Sequence, residues 1–389
     1  MPINFGLYGE KDSPWVGQLV EESARWQHAT IAYLREEELP SLASGKSFPL
    51  LETLDIRQHT FRDPDLFLFN SAPRLHSLKT VRLLPPEELR AFTPLNQITN
   101  LEIMCGTSAP IYTGELHNFP NLKSMVFAEL DHRFVPEPDE IPWQTLPHLS
   151  MVEFQMSNCE VGYDILEAHL LKLLINKLTL PSLTTLAIRN FHEEVDKWDH
   201  TNMEQIFKGN WPHQSFSDFF QRSACSLSVL HLDYISLSDT DLCSLLKLHP
   251  SLVELRIREI RRKDFNFAPY PLFEDDTEDR IVFQFQDLIT PLLLANLHAL
   301  IMLENLHFTA DGDLFDDVLF WKMVVSRWVP NSDTSSRGEN ASAPATGVSC
   351  LRSVKLCVLG RALREDVDLK LRDLKKAGLD FVLPSKDEP

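Results

Sequence analysis

The stretch CSLSVLHLDYISLSDTDLCSLLKLHPSLVELRI, residues 225–257, states one apolar phrase twice. Leu227, Leu230 and Leu232 form an L-x-x-L-x-L pattern, and Leu252, Leu255 and Ile257 repeat it 25 residues later. A unit of that length cannot bury its own apolar face, so it must stack on copies of itself. The phrase runs along the chain: Leu51/Leu54/Ile56, Leu78/Val81/Leu83, Ile98/Leu101/Ile103, Leu122/Met125/Phe127, Leu149/Val152/Phe154 and Leu183/Leu186/Ile188 precede the opening pair. Leu297/Leu300/Met302 and Leu351/Val354/Leu356 follow it, which makes ten. In the second copy Leu75 and Leu78 also fit. Proline stands two residues ahead of five copies, at 49, 120, 147, 181 and 250, where a strand begins and no donor is needed.

The first positions of the early copies are 27, 20, 24 and 27 residues apart, within the leucine-rich-repeat range. The later steps are 34, 44, 25, 45 and 54, and the long ones contain insertions, which cost little because closure entropy grows slowly with loop length. The turn asparagine of regular repeats is missing from nine of the ten copies. The expectation is an α/β fold: an irregular leucine-rich-repeat solenoid, a curved parallel sheet with helices and loops on the convex side. The predicted organisation is a helical cap over 1–47, a solenoid over 48–360 with insertions at 192–215, 262–280 and 331–347, and a C-terminal helix and tail over 361–389.

The connectors read as helices. Ser238 is placed to cap one, with Asp241 three residues on and Leu242, Leu245 and Leu246 along a face. Ile165, Leu166, His169, Leu170, Leu173 and Leu174 stripe a second, and Phe216, Phe219 and Phe220 a third. A fourth, over 313–328, is expected to turn Leu314, Val318, Trp321, Val325 and Trp328 inward. The polar stretches 274–279 and 331–347 read as unfolded.

Charge and composition narrow the function classes. Lys plus Arg is 37 against 56 Asp plus Glu, a net charge of −19 that repels phosphate backbones and anionic lipid. No nucleic-acid or membrane partner is expected. The six cysteines have no C-x-x-C pairing and read as reduced thiols. No secretory leader is readable, and the run 288–303 is too short and broken to span a bilayer, so an intracellular location, cytoplasmic or nuclear, is expected.

Motifs for catalysis and metals fail on inspection. The "SGKS" at 44–47 has Pro40 where a phosphate loop needs glycine, and a strand pattern follows it. In "DGDLFDD", 311–317, Phe315 and Asp316 occupy positions where a calcium loop needs a ligand and a glycine; Asp311 or Asp313 reads instead as a helix cap. His192, Glu193, Glu194, Asp196, Asp199 and His200 lack metal-ligand spacing. No catalytic residue, cofactor or metal is expected.

Residues beside the last apolar position of each phrase point away from the core, because strand side chains alternate. The late copies put His231 and Asp233, Arg256 and Arg258, and Ile301 and Leu303 on this face, with Lys355 and Cys357 beyond. The six residues from His231 to Leu303 are the expected partner-binding patch, a basic pair beside apolar side chains. Both arginines are expected to be exposed, so their replacement by Glu should weaken docking and leave the fold intact.

Several longer phrases carry a family resemblance. WVGQLVEESARW (15–26), FPLLETLDI (48–56), FFQRSACSLSVLHLDYISLSDTDLCSLLKLHPSLVELRI (219–257), MVVSRW (323–328) and LKKAGLDFVL (374–383) resemble, in that order, the leucine-rich-repeat-like region of F-box proteins expanded in mushroom-forming fungi. The resemblance implies a non-enzymatic substrate-recognition region of an SCF-type ubiquitin ligase, with a protein substrate as partner. No F-box helix of the L-P-x-E type is readable, so binding of the Skp adaptor is expected only where an F-box lies upstream. The competing reading is a hydrolase-type enzyme whose site assembles only in space.

Overall fold

The computed structural model describes residues 3–8, 18, 21–32, 47–57, 71–80, 95–104, 113–130, 143–156, 167–190, 211–235, 237–259, 288–328 and 349–383. The chain divides into two compact units. Unit 1 comprises Met1–Ser157, His169–Leu183 and Gln221–Cys225, and unit 2 comprises Asn158–Ala168, Thr184–Phe220 and Ser226–Pro389.

In unit 1 the strands β1 (Ile3–Tyr8), β2 (Trp26–Ala32), β3 (Thr53–Ile56), β4 (Ser77–Thr80), β5 (Asn100–Met104), β6 (Ser124–Leu130) and β8 (Met151–Met156) pair in that order. Every pairing is parallel. A short parallel pair, β7 (Gln144–Thr145) with β9 (Leu178–Thr179), lies apart from this run. Unit 2 contains β10 (Thr185–Asn190), β11 (Val229–Asp233), β12 (Glu254–Arg258), β13 (Asn305–Asp311), β14 (Ser353–Leu359) and β15 (Asp380–Val382), again in chain order and parallel. Strands that pair in sequence order, each separated by a connector, are what a leucine-rich-repeat-like α/β fold requires.

The phrase creates this geometry through one recurring turn. The first apolar residue donates its backbone N–H to the carbonyl three residues earlier: Leu51 to Phe48, Leu75 to Ala72, Leu122 to Phe119, Leu149 to Leu146, Leu183 to Leu180, Leu252 to His249 and Leu303 to Leu300. The chain then enters the strand, and the two remaining apolar positions point inward. Leu252, Leu255 and Ile257 are fully buried, each worth about 1.5–3 kcal/mol of transfer free energy. Equivalent residues stack on those of the next repeat, as do Phe127 and Phe154 with ring centroids 5.3 Å apart.

The structure corrects several sequence expectations. The segment 1–47, expected as a helical cap, includes two strands, Ile3–Tyr8 and Trp26–Ala32, with a short 3-10 turn, Ser23–Arg25, leading into the second. Ala29 and Ile31 pair in register with Leu54 and Ile56, and Trp26, three residues ahead of Ala29, is buried as Leu51 is, so the three form a further copy written with tryptophan and alanine, invisible to a search for leucine. In the second copy the ambiguity resolves toward Leu75: Leu75, Leu78 and Thr80 are the buried set, and Leu78 pairs with Leu54. The ninth copy is displaced. Its strand is Asn305–Asp311, and its phrase is Leu303/Leu306/Phe308 rather than Leu297/Leu300/Met302. The earlier stretch is claimed by a helix that begins at Pro291, with Thr290 as its cap, and by the turn that follows.

The helices are α1 (Glu167–Lys177), α2 (His213–Ser223), α3 (Asp239–Lys247), α4 (Pro291–Asn296), α5 (Asp317–Arg327) and α6 (Glu365–Lys376). Ser238 caps α3 as expected: its Oγ accepts the Asp241 N–H at 3.0 Å and donates to the Asp241 carboxylate. In α1 Leu174 of the expected stripe is buried, together with Leu171 and Ile175, while the side chains of Ile165, Leu166, His169 and Leu170 lie outside those described. In α5 the expected face is largely outward. Leu314 and Val325 are exposed, while Phe320, Met323, Val324 and Arg327 are buried. Asp316 caps this helix by accepting the Leu319 N–H, whereas Asp311 accepts from Asp313 in the turn before it. The cap therefore sits several residues later than expected, and Leu314 lies before the helix rather than on its face. The expected insertions at 262–280 and 331–347, nearly all of the one at 192–215, the acidic run 274–279 and the metal-like cluster at 192–200 lie outside the described residues. Among the described residues, no helix is long and apolar enough to cross a membrane.

Candidate binding face

The open face of the unit 2 sheet is organised in registered rows. One row runs Ala187, His231, Arg256, His307 and Lys355 across β10 to β14. The next runs Arg189, Asp233, Arg258, Thr309 and Cys357. Both come from the alternation of strand side chains, since the residues between them fill the core. Of the six expected site residues, His231, Asp233, Arg256 and Arg258 stand together here. Ile301 and Leu303 do not: Ile301 is exposed in the turn before β13, and Leu303 is fully buried as the first residue of the displaced phrase. His307 and Thr309 take the places assigned to them.

Asp233 anchors the patch. Its side chain is 3% exposed, and its Oδ2 lies 3.0 Å from an Arg256 terminal nitrogen and 3.3 Å from Arg189 Nε. The carboxylate thus binds two guanidinium groups from neighbouring strands. A pair this dry is costly to disrupt, because loss of one member strands the other's charge. On the adjoining positions His231 Nε2–H donates to Glu254 Oε1 at 2.8 Å. Arg258 lies with its guanidinium 5.6 Å from the centre of the Tyr234 ring.

Tyr234 itself adopts φ +60°, a left-handed conformation unusual for a bulky residue. Its N–H donates to the Arg258 carbonyl at 2.8 Å, which ties the turn after β11 to the end of β12. The strained backbone holds the ring where the arginine lies over it, and such strain concentrates at working surfaces.

His307 sits between Arg256 and Lys355. Burial holds its pKa below the usual histidine value, Lys355, Arg256 and His231 push it the same way, and Glu254 opposes them. The ring is therefore neutral near pH 7 and lies in positive surroundings. Burial raises the Cys357 thiol, with Arg258 opposing, so it is a poor nucleophile. Counting Glu254 from the preceding row, the patch contains four cations against two carboxylates, on a chain whose net charge is −19.

Sequence reasoning missed His307, because the phrase Leu303/Leu306/Phe308 directly follows the decoy at 297–302, which satisfies the same spacing. The signal was present: Leu300 stands three residues ahead of Leu303, as Phe48 does of Leu51 and Phe119 of Leu122. Among the described residues, no group of three or more His, Cys, Asp or Glu side chains is placed to hold a metal ion. Cys225, Cys243, Cys350 and Cys357 are free thiols.

No family model matches the chain, and no curated protein matches it. Among solved structures, 27 chains match. One is the crystal structure of a TLR13–ssRNA13 complex, which is similar over 85% of this chain and 38% of its own length, at 12% identity and a TM-score of 0.35. The chain therefore spans well under two thirds of that protein, and the likeness lends no argument to function.

Proposed function

We propose that this chain is a non-enzymatic protein-recognition module, and that it serves as the substrate-recognition region of an SCF-type ubiquitin ligase F-box protein. The observation that carries the reading is the unit 2 face: a registered array of charged side chains on a rigid parallel sheet, organised around the buried Asp233. Such a surface suits docking more than turnover, because carboxylates hold Arg189, Arg256 and His231 in place and its thiol is held protonated. The phrases from WVGQLVEESARW to LKKAGLDFVL support the F-box assignment by resemblance.

Site-specific photo-crosslinking tests the proposal. A crosslinker attached at Thr309→Cys should capture one defined protein, whose cellular level rises when ubiquitin transfer is blocked. The same crosslinker at Lys322→Cys, on α5, should not capture it. Equal capture from both positions, or a captured protein whose abundance is indifferent to ubiquitin transfer, would refute the reading. The Skp adaptor is expected to join only in a protein carrying an upstream F-box, which a pull-down with recombinant adaptor checks.

A further inference from the structure

The cations of the unit 2 face differ in what already occupies them. Arg189 and Arg256 are engaged by Asp233. Arg258 rests on the Tyr234 ring, and among the described residues no carboxylate pairs with it or with Lys355. The chain as a whole is strongly acidic, so two uncommitted cations beside a neutral histidine form a local reversal of its field.

Resting on the protein-recognition reading, we propose that this face binds an acidic peptide segment of the partner, with separate Asp or Glu carboxylates meeting Arg258 and Lys355. Spacing favours distributed carboxylates over one compact anion. Arg258 is on β12 and Lys355 on β14, two strand spacings across and one row along the strand, so their backbones stand roughly 12 Å apart. The Tyr234 ring, at the end of β11, holds the Arg258 guanidinium on the side away from Lys355. A single tetrahedral oxyanion is too small to serve both cations, whereas side chains four residues apart on an extended segment, roughly 13 Å, come close to the separation. The carboxylate preference is already visible in the patch, where Asp233 and Glu254 satisfy its other basic groups. His307 lies between the two cations, and a bound carboxylate there would raise its proton affinity by opposing Lys355 and Arg256.

The test is fluorescence anisotropy with a labelled peptide of alternating Glu and Ser, against a matched peptide of Gln and Ser, using the full chain. The Glu peptide should bind and the Gln peptide should not. Arg258→Glu/Lys355→Glu should weaken binding by about tenfold or more. Lys355→Ala, at an exposed position that leaves the sheet untouched, should weaken it to a smaller degree and serves if the double variant fails to fold. Lys375→Glu/Lys376→Glu, which removes two exposed cations of α6, should leave binding unchanged. Equal binding of the Glu and Gln peptides, or equal losses at α6 and at the face, would overturn the proposal. So would displacement of the peptide by inorganic phosphate or by a single-stranded RNA oligomer with tighter binding than the peptide's own. If the peptide fails while the Thr309→Cys crosslinker still captures a regulated partner, the acidic ligand is refuted and the recognition reading stands.

Discussion

His249 makes the stability of unit 2 depend on pH in a calculable way. It occupies the position three residues before the first leucine of its phrase, where other repeats place Phe48, Phe119, Leu146, Leu180 and Leu300. The imidazole is 2% exposed, packs edge-on against Phe220 at a centroid distance of 4.1 Å, and leaves Nε2 without a hydrogen-bond partner. Burial lowers its pKa from 6.5 to about 4. The unfolded chain therefore binds a proton between pH 6.5 and 4 that the folded chain refuses. Stability is unaffected by this group above pH 6.5 and falls as pH drops through that window. The loss is about 2 kcal/mol at pH 5 and approaches about 3.4 kcal/mol below pH 4, taking 1.36 kcal/mol per unit. His249→Leu restores the side chain used by the equivalent repeats, so the variant should match the parent near pH 7.5 and exceed it by about 2 kcal/mol at pH 5. Urea unfolding at several pH values measures both curves, and the difference cancels the carboxylates that titrate in both proteins. A constant difference from pH 7.5 to 5 would show that the folded imidazole accepts its proton normally and would refute the argument.

Arg327, buried in α5, donates to the carbonyls of Leu297, Leu303 and Ser349. Arg327→Met should cost about 3 kcal/mol or more in urea unfolding, because those carbonyls lose their donors away from water. Arg256→Glu corrects the expectation of a harmless surface change: it sets a second carboxylate against buried Asp233, and should destabilise by about 3 kcal/mol, read from the shift of the thermal midpoint. Asp233→Asn should also lower stability, since it leaves Arg189 and Arg256 sharing a neutral partner.

The repeat was legible in the sequence because burial of three side chains per strand constrains residue type strongly. Leu252, Leu255 and Ile257 can be little else, and Ser238 announced its helix through a local hydrogen bond. What local pattern could not decide was register where two phrases compete, as at Leu297 and Leu303, since each satisfies the apolar spacing alone. Pairing with β12 decides it, because only Leu306 and Phe308 lie opposite Leu255 and Ile257. The same holds for Trp26, Ala29 and Ile31, whose membership in the repeat is visible only once Ala29 and Ile31 pair with β3. The binding face divides in the same way. Alternation along a strand placed His231, Asp233, Arg256 and Arg258 on the open side of the sheet. That Asp233 is nearly dry beneath Arg189 and Arg256, while no carboxylate among the described residues pairs with Arg258 or Lys355, depends on long side chains meeting across strands 44 and 25 residues apart in sequence. Apolar periodicity is a one-strand property that a chain carries openly, whereas the pairing of its charges is a property of neighbours that only folding supplies.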